Sequence, residues 1–270
     1  MCQSRTIPAF NILLKKYTTL DLDANLLIAE QMLEGVQVTV EGFSWNKKVT
    51  MMGVTDSIMY PGTMSFERFE YPSKLPLPVQ QRMTDIAGEV ISKIGLDYTV
   101  FNIEMFYNPE KDTIKIIEIN PRMAYQFADM FEKVDGTNSY AIQLQLSQGV
   151  QPGFQKGEGH FGVSASFVLR LFENKQVVRI PTREEIRIIH NQFPDSLIII
   201  KVKEEMMLSD VSQDENSYRY AIINLGGKDW TDLYTRFTEL KKQLRFEFEA
   251  LTGEFEYEER ELITQVREIS

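Results

Sequence analysis

Thr113-Ile-Lys-Ile-Ile-Glu118-Ile-Asn120-Pro-Arg122 is a β-branched run that ends on a carboxylate, an amide, a proline and an arginine. Residues of this kind favour strands. A second such run, Tyr98 to Tyr107, lies upstream and contains Glu104. The polar stretch between them, Asn108-Pro-Glu-Lys-Asp112, has turn chemistry and predicts a hairpin folded about Glu110 or Lys111. That fold sets Glu104 nearly opposite Glu118. Strand alternation places Asn102, Glu104 and Phe106 on one face, and Ile116, Glu118 and Asn120 together on one face of the partner.

Facing carboxylates repel and weaken a strand pair. One reading is a solvated strand face with charges at its end. The other is a site for a hard divalent cation, which reverses the sign of the interaction. Mg²⁺ takes oxygen ligands, commonly one or two carboxylates together with substrate phosphates. Asn120 adds a neutral oxygen, and Arg122 adds a planar cationic fork suited to phosphate or carboxylate.

Glu-x-Asn-Pro-Arg after a strand, with an acidic residue on the strand before it, resembles the magnesium hairpin of ATP-grasp ligases. Two further segments are similar to that superfamily, whose members include biotin carboxylase and the L-amino acid ligases. Leu26-Leu-Ile-Ala-Glu-Gln-Met-Leu-Glu-Gly35, followed by the alternating Val36–Phe43, resembles the adenine hinge and the strand after it. Asp129 to Asn138 resembles the segment that follows the metal motif. The order and spacing agree from about Leu26 to Gly149, and less sharply to about Leu251.

The resemblance implies an α+β fold: an antiparallel sheet with flanking helices, followed by a small α+β carboxy-terminal domain. It implies ATP and Mg²⁺ (or Mn²⁺) as cofactors, with Glu104, Glu118 and Asn120 as metal ligands and Arg122 as the catalytic cation. Glu30 would meet the adenine amino group or the ribose, while Gln31, Met32 and Leu33 would contact the base through backbone or apolar groups. An ordinary strand, in which Met32 and Leu33 merely pack, is the plainer reading of that hinge. The implied chemistry is phosphoryl transfer to a carboxylate and attack on the acylphosphate by an amine or another nucleophile. Small-molecule carboxylate and acceptor substrates follow as partners.

The resemblance implies an amino-terminal half with a substrate-binding α/β domain, a strand lysine and a flexible Gly- or Ser-rich loop over the phosphates. Here the hinge begins near residue 26, and no glycine precedes Gly35. Backbone cradling of phosphate favours glycine. The expectation is therefore a carboxy-terminal half, with 1–25 as a remnant of the other half. Such a chain needs a missing amino-terminal partner or turns over poorly by itself. The competing expectation is a non-catalytic oligomerising or scaffold module derived from such an enzyme.

Composition narrows the classes. A net charge of −10 argues against a general nucleic-acid binder. The single cysteine, Cys2, excludes an internal disulfide framework and fits a reducing compartment. No apolar run reaches membrane-span length, and no signal-peptide pattern opens the chain, so a cytoplasmic protein is expected. His160 and His190 lack the neighbours of a zinc site.

The organisation read along the chain is a nucleotide- and metal-binding region over 26–150, an α+β domain over 151–252 and an acidic tail over 253–270. Lys48–Thr55 is the expected partner of Val36–Phe43. Asp56–Pro78 is read as irregular on account of its prolines; its Tyr60–Thr63 and Phe66–Arg68 either face a substrate or cover a sheet. A helix carrying Val79, Met83, Ile86, Val90 and Ile94 should end at Gly95, and another should run from Ser139 to Gly149. Beyond residue 160, four strands are expected, with a helix capped by Thr182 and Glu185 and a terminal helix from Trp230 to Leu251. Gln126 is a candidate substrate contact, and Arg170 suits either the site mouth or packing.

Overall fold

The computed structural model describes residues 32–250 except 212, 215 and 216. Its main feature is a nine-stranded sheet in which every pairing is antiparallel. In chain order the strands are β1 (Val36–Trp45), β2 (Lys48–Met59), β3 (Phe66–Tyr71), β4 (Thr99–Asn108), β5 (Thr113–Asn120), β6 (Val163–Leu171), β8 (Leu197–Ile200), β9 (Gln213–Asp214) and β10 (Ser217–Gly227). Their spatial order is β5-β4-β1-β2-β3-β6-β10-β8, with β9 on β10. A small second sheet joins β7 (Lys175–Arg179) to β11 (Glu247–Ala250). This mixed α+β architecture is the one the resemblance implied. Residues 34–250 form one compact unit.

Helix α1 (Leu77–Ile94) covers one face of the sheet. Its buried Val79, Met83, Ala87 and Ile91 recur at helical spacing, and Gly95 ends it in the left-handed region at φ 73°. They pack on Val38, Val40, Val54, Phe101, Ile103 and Met105. On the opposite face, α2 (Ala128–Asp135) and α3 (Ser139–Ser147) bring Phe131, Val134, Ile142 and Leu146 against Phe43, Met52 and Val100. At the far end, α4 (Arg183–Gln192) and α5 (Trp230–Gln243) cover β6 and β10. Thr182 and Glu185 cap α4 reciprocally, as their spacing predicts.

Several boundaries differ from the sequence reading. Asp56–Pro78 is not irregular: β2 continues to Met59, and β3 pairs with both β2 and β6. Its prolines flank β3 rather than interrupt it, so no ladder N–H is lost. Helix α2 was not expected, although Phe131 and Val134 show its apolar spacing and Gly136 its stop signal. The terminal helix ends at Gln243 rather than near Leu251, and Phe246 and Phe248 then turn to pack on Tyr220.

Candidate active site

The β4–β5 hairpin forms about the turn Pro109–Asp112, where Lys111 N–H donates to Asn108 Oδ1 at 2.9 Å. Glu104 and Glu118 are direct cross-strand partners, and so are Asn102 and Asn120. One detail of the predicted faces is corrected. Glu104 pairs with Glu118 but Met105 pairs with Ile116, so Ile117 is the extra residue of a β-bulge. The bulge moves Ile116 onto the face of buried Met105, away from Glu118 and Asn120.

Antiparallel register carries the hairpin's face across the sheet, since paired residues point to the same side. From Glu118 the row runs through Glu104 and Thr39 to Thr55. The next row runs from Gln37 through Ser57, Phe69 and Ser166 to Asn224. Of these residues Gln37, Thr39, Thr55, Ser57, Ser166 and Asn224 are buried yet polar, while Glu118 at the hairpin edge is exposed. Among the described residues, Thr55 Oγ1, Ser57 Oγ and Asn224 Oδ1 have no hydrogen-bond partner.

The loop after β5 lies over this face and is tied to it. Glu41, fully buried on β1, accepts from Ala124 N–H at 3.2 Å and from the Ser139 hydroxyl at the start of α3. Gln126 Nε2 donates to Ser166 Oγ at 2.8 Å, and Asn224 Nδ2 donates to the Gln126 carbonyl at 3.3 Å. Asn102 Nδ2 donates to the Arg122 carbonyl at 2.8 Å. The Arg122 guanidinium is exposed and donates to the Met123 carbonyl at 3.4 Å.

Two carboxyls of this region are shifted upward. Burial pushes Glu104 above the usual carboxylate range, and the Glu118 charge adds to it, while Gln37 and Arg122 pull the other way. Gln37 Nε2 holds Glu104 Oε2 at 2.9 Å. Burial pushes Glu41 up to about 7, against the hydrogen bonds from Ser139 and Ala124. Asn120 is buried, and its Nδ2 donates to Asn102 Oδ1 at 3.2 Å, which leaves its own oxygen as a donor atom for a ligand.

The structure thus brings Glu104, Glu118 and Asn120 to one end of the hairpin, with Arg122 beside it. Two facing carboxylates, next to an amide oxygen, suit a hard cation completed by phosphate oxygens. Among the described residues no group of three or more His, Cys, Asp or Glu could hold a metal alone. Glu30 and Gln31 lie outside the described residues. Met32 is exposed and Leu33 half-buried, both outside regular structure. Arg170 is buried and donates to the Phe66 carbonyl and to Ser217 Oγ, which is a packing role.

A cavity of about 140 Å³ opens beside Glu104 and Arg122, walled by Phe66, Phe69 and Phe127, with Gln37, Ser57 and Gln126 among its polar lining. Phe66 and Gln126 were legible as candidates. Gln37, Ser57 and Phe69 were not, because only strand register brings them together.

Residues 9–125 match the model of a family described as ATP-grasp domain. The structure superposes on phosphoribosylglycinamide synthetase from Anaerococcus prevotii with a TM-score of 0.65 at 12% identity, covering 92% of this chain and 61% of that one. It is also similar to L-amino acid ligase from Bacillus licheniformis, with a TM-score of 0.62 at 13% identity over 82% of this chain and 56% of the other. The biotin carboxylase–β-γ-ATP complex from Campylobacter jejuni aligns at 0.59 and 12% identity over 81% and 48%. The chain spans less than two thirds of the length of each of these proteins. No curated protein matches the sequence. Among the described residues no helix is long and apolar enough to cross a membrane.

Proposed function

From the premise that this chain has the ATP-grasp fold, we propose that it is the nucleotide- and metal-binding portion of an ATP-dependent carboxylate ligase. The observation that carries this reading is the Glu104–Glu118 pair, with Asn120 and Arg122 at the same end of the hairpin. Glu104, Glu118 and Asn120 would hold Mg²⁺ against the ATP phosphates. Bound there, the ion would neutralise charge on the phosphates during transfer. Glu30 to Leu33 would contact the adenine.

In the reaction proposed, a substrate carboxylate oxygen attacks the γ-phosphorus, the bond to the β–γ bridging oxygen breaks and ADP leaves. An amine nitrogen or other nucleophile then attacks the acyl carbon and releases phosphate. Arg122 presents a fixed positive charge where the carboxylate and the transferred phosphoryl group meet. Gln37 orients Glu104 through its hydrogen bond. Glu41 fixes the loop that carries Arg122, through the Ala124 N–H. The proposed organisation keeps 26–150 as the nucleotide- and metal-binding region and 151–252 as a carboxy-terminal portion.

Calorimetric titration with Mg²⁺-ATP tests the reading. Saturable binding by the wild type, weakened at least about 100-fold in Glu118→Gln, is expected. Equal affinity in the two proteins would refute the metal assignment. A second reading, a self-associating module, draws on β5, an edge among the described strands with Ile116 and Ile117 exposed. Sedimentation showing a monomer across concentration would remove it.

A further inference from the structure

The cavity beside Arg122 is more specific than a phosphate site requires. Three phenylalanines, 66, 69 and 127, line it, with Phe69 at 4.9 Å from Phe66 and 5.1 Å from Phe127 between ring centroids. Its floor includes Ser57, which is 8% exposed and whose hydroxyl has no partner. Leaving such a group unpaired costs about 1–3 kcal/mol, so a fold gains nothing by placing it there alone. Gln37 and Gln126 have their amide nitrogens occupied by Glu104 and Ser166, so each turns an N–H away from a ligand and keeps its oxygen as an acceptor. Charge occurs only at the Glu104 and Arg122 end of the lining.

Size narrows the occupant. A cavity of roughly 150 Å³ accepts a molecule such as benzene. A volume of about 140 Å³ therefore fits a branched aliphatic group or a single ring among these phenylalanines. The Arg122 guanidinium faces no carboxylate within ion-pair distance among the described residues, so it is available to a ligand's carboxylate.

We propose that this cavity is the substrate pocket and that it takes a small carboxylic acid with a compact, uncharged body, whose carboxylate sits at Arg122 and whose apolar part lies among Phe66, Phe69 and Phe127. A neutral polar atom on that body would meet the Ser57 hydroxyl. This assignment rests on the ligase reading above and names the substrate class of the same site.

Ligand-observed NMR on the full chain, with and without Mg²⁺-ATP, tests it with isovalerate and benzoate against glutarate and L-lysine. The compact apolar acids should bind saturably, and glutarate and lysine at least about tenfold more weakly. Phe69→Trp and Ser57→Leu fill the cavity from two different strands. Each should weaken isovalerate binding by roughly tenfold or more and leave Mg²⁺-ATP affinity unchanged, with folding checked by thermal melting. A readout that needs no variant is saturation transfer from the protein's aromatic protons, which should reach isovalerate methyls and not glutarate methylenes.

Mg²⁺-ATP binding with no saturable apolar acid, or with glutarate binding as tightly, overturns the pocket and leaves the ligase reading intact. Unchanged isovalerate affinity in the filled variants overturns it as well. Apolar-acid binding without any Mg²⁺-ATP binding supports the pocket and removes the ligase reading.

Discussion

The two faces of the same strands differ in what their burial achieves. Toward α1, β1, β2 and β4 present Val38, Val40, Val54, Phe101, Ile103 and Met105, all at most 3% exposed and all apolar. Toward the loop after β5, the alternate residues are Gln37, Thr39, Glu41, Thr55, Ser57 and Asn102, no more than 9% exposed and all polar. The first face stabilises the fold by removing apolar surface from water. The second costs stability, because buried polar atoms stay unpaired and a carboxyl is held at raised pKa. Burial is thus equal in these two sets of side chains, and their chemistry is opposite.

That contrast can be broken from either side. Met83→Ala, on the α1 face, should cost about 2–5 kcal/mol in denaturant unfolding through the cavity it leaves. Mg²⁺-ATP affinity should not change in the folded fraction. A loss of affinity would mean that the faces are not separable.

Glu41 tests the polar face through pH. Its folded-state pKa of about 7 lies above the ordinary value of 4.5, so the folded protein keeps a proton that the unfolded chain releases. Its stabilising contribution is complete below about pH 4.5 and declines as pH rises to 7, by on the order of 3 kcal/mol. Glu41→Gln should remove that slope, and the two unfolding free energies measured across pH 4.5 to 7 should converge at the acid end. Parallel profiles would show that Glu41 is not the group responsible.

The smallest effect sharpens the comparison most. Ser57→Ala deletes an unpartnered hydroxyl and should raise stability by about 1 kcal/mol. A matching removal of packing atoms on the α1 face can only lower it. If Ser57→Ala destabilises, measured by chemical denaturation, the polar face is structural after all.

The hairpin was legible because its parts are local. Two β-branched runs and a turn separated by few residues leave little freedom in which residues face each other. Helix α1 was legible from its spacing and Gly95, although Ala87 and Ile91 rather than Val90 and Ile94 complete its buried face, and Ile94 is exposed. The bulge at Ile117 was not, because alternation cannot tell where one strand takes an extra residue. β3 was hidden by the density of prolines around Phe66–Tyr71, although none of them lies inside it. Glu41 read as one more polar residue of an alternating strand, and nothing in β1 alone shows that a loop more than 80 residues away covers it.

By itself, then, the amino-acid order determined the short-range items: the carboxylate pair, Asn120 and Arg122 beside it, the helix faces and the α4 cap. These depend on periodicity, turn chemistry and spacing, which act over a few residues. Tertiary structure alone decided the pocket. Gln37, Ser57, Phe69, Ser166 and Asn224 lie far apart along the chain and share a row only through the register of successive antiparallel strands. Register is a cooperative property of the whole sheet, set by which side chains can be buried together, and no local stretch of sequence carries it.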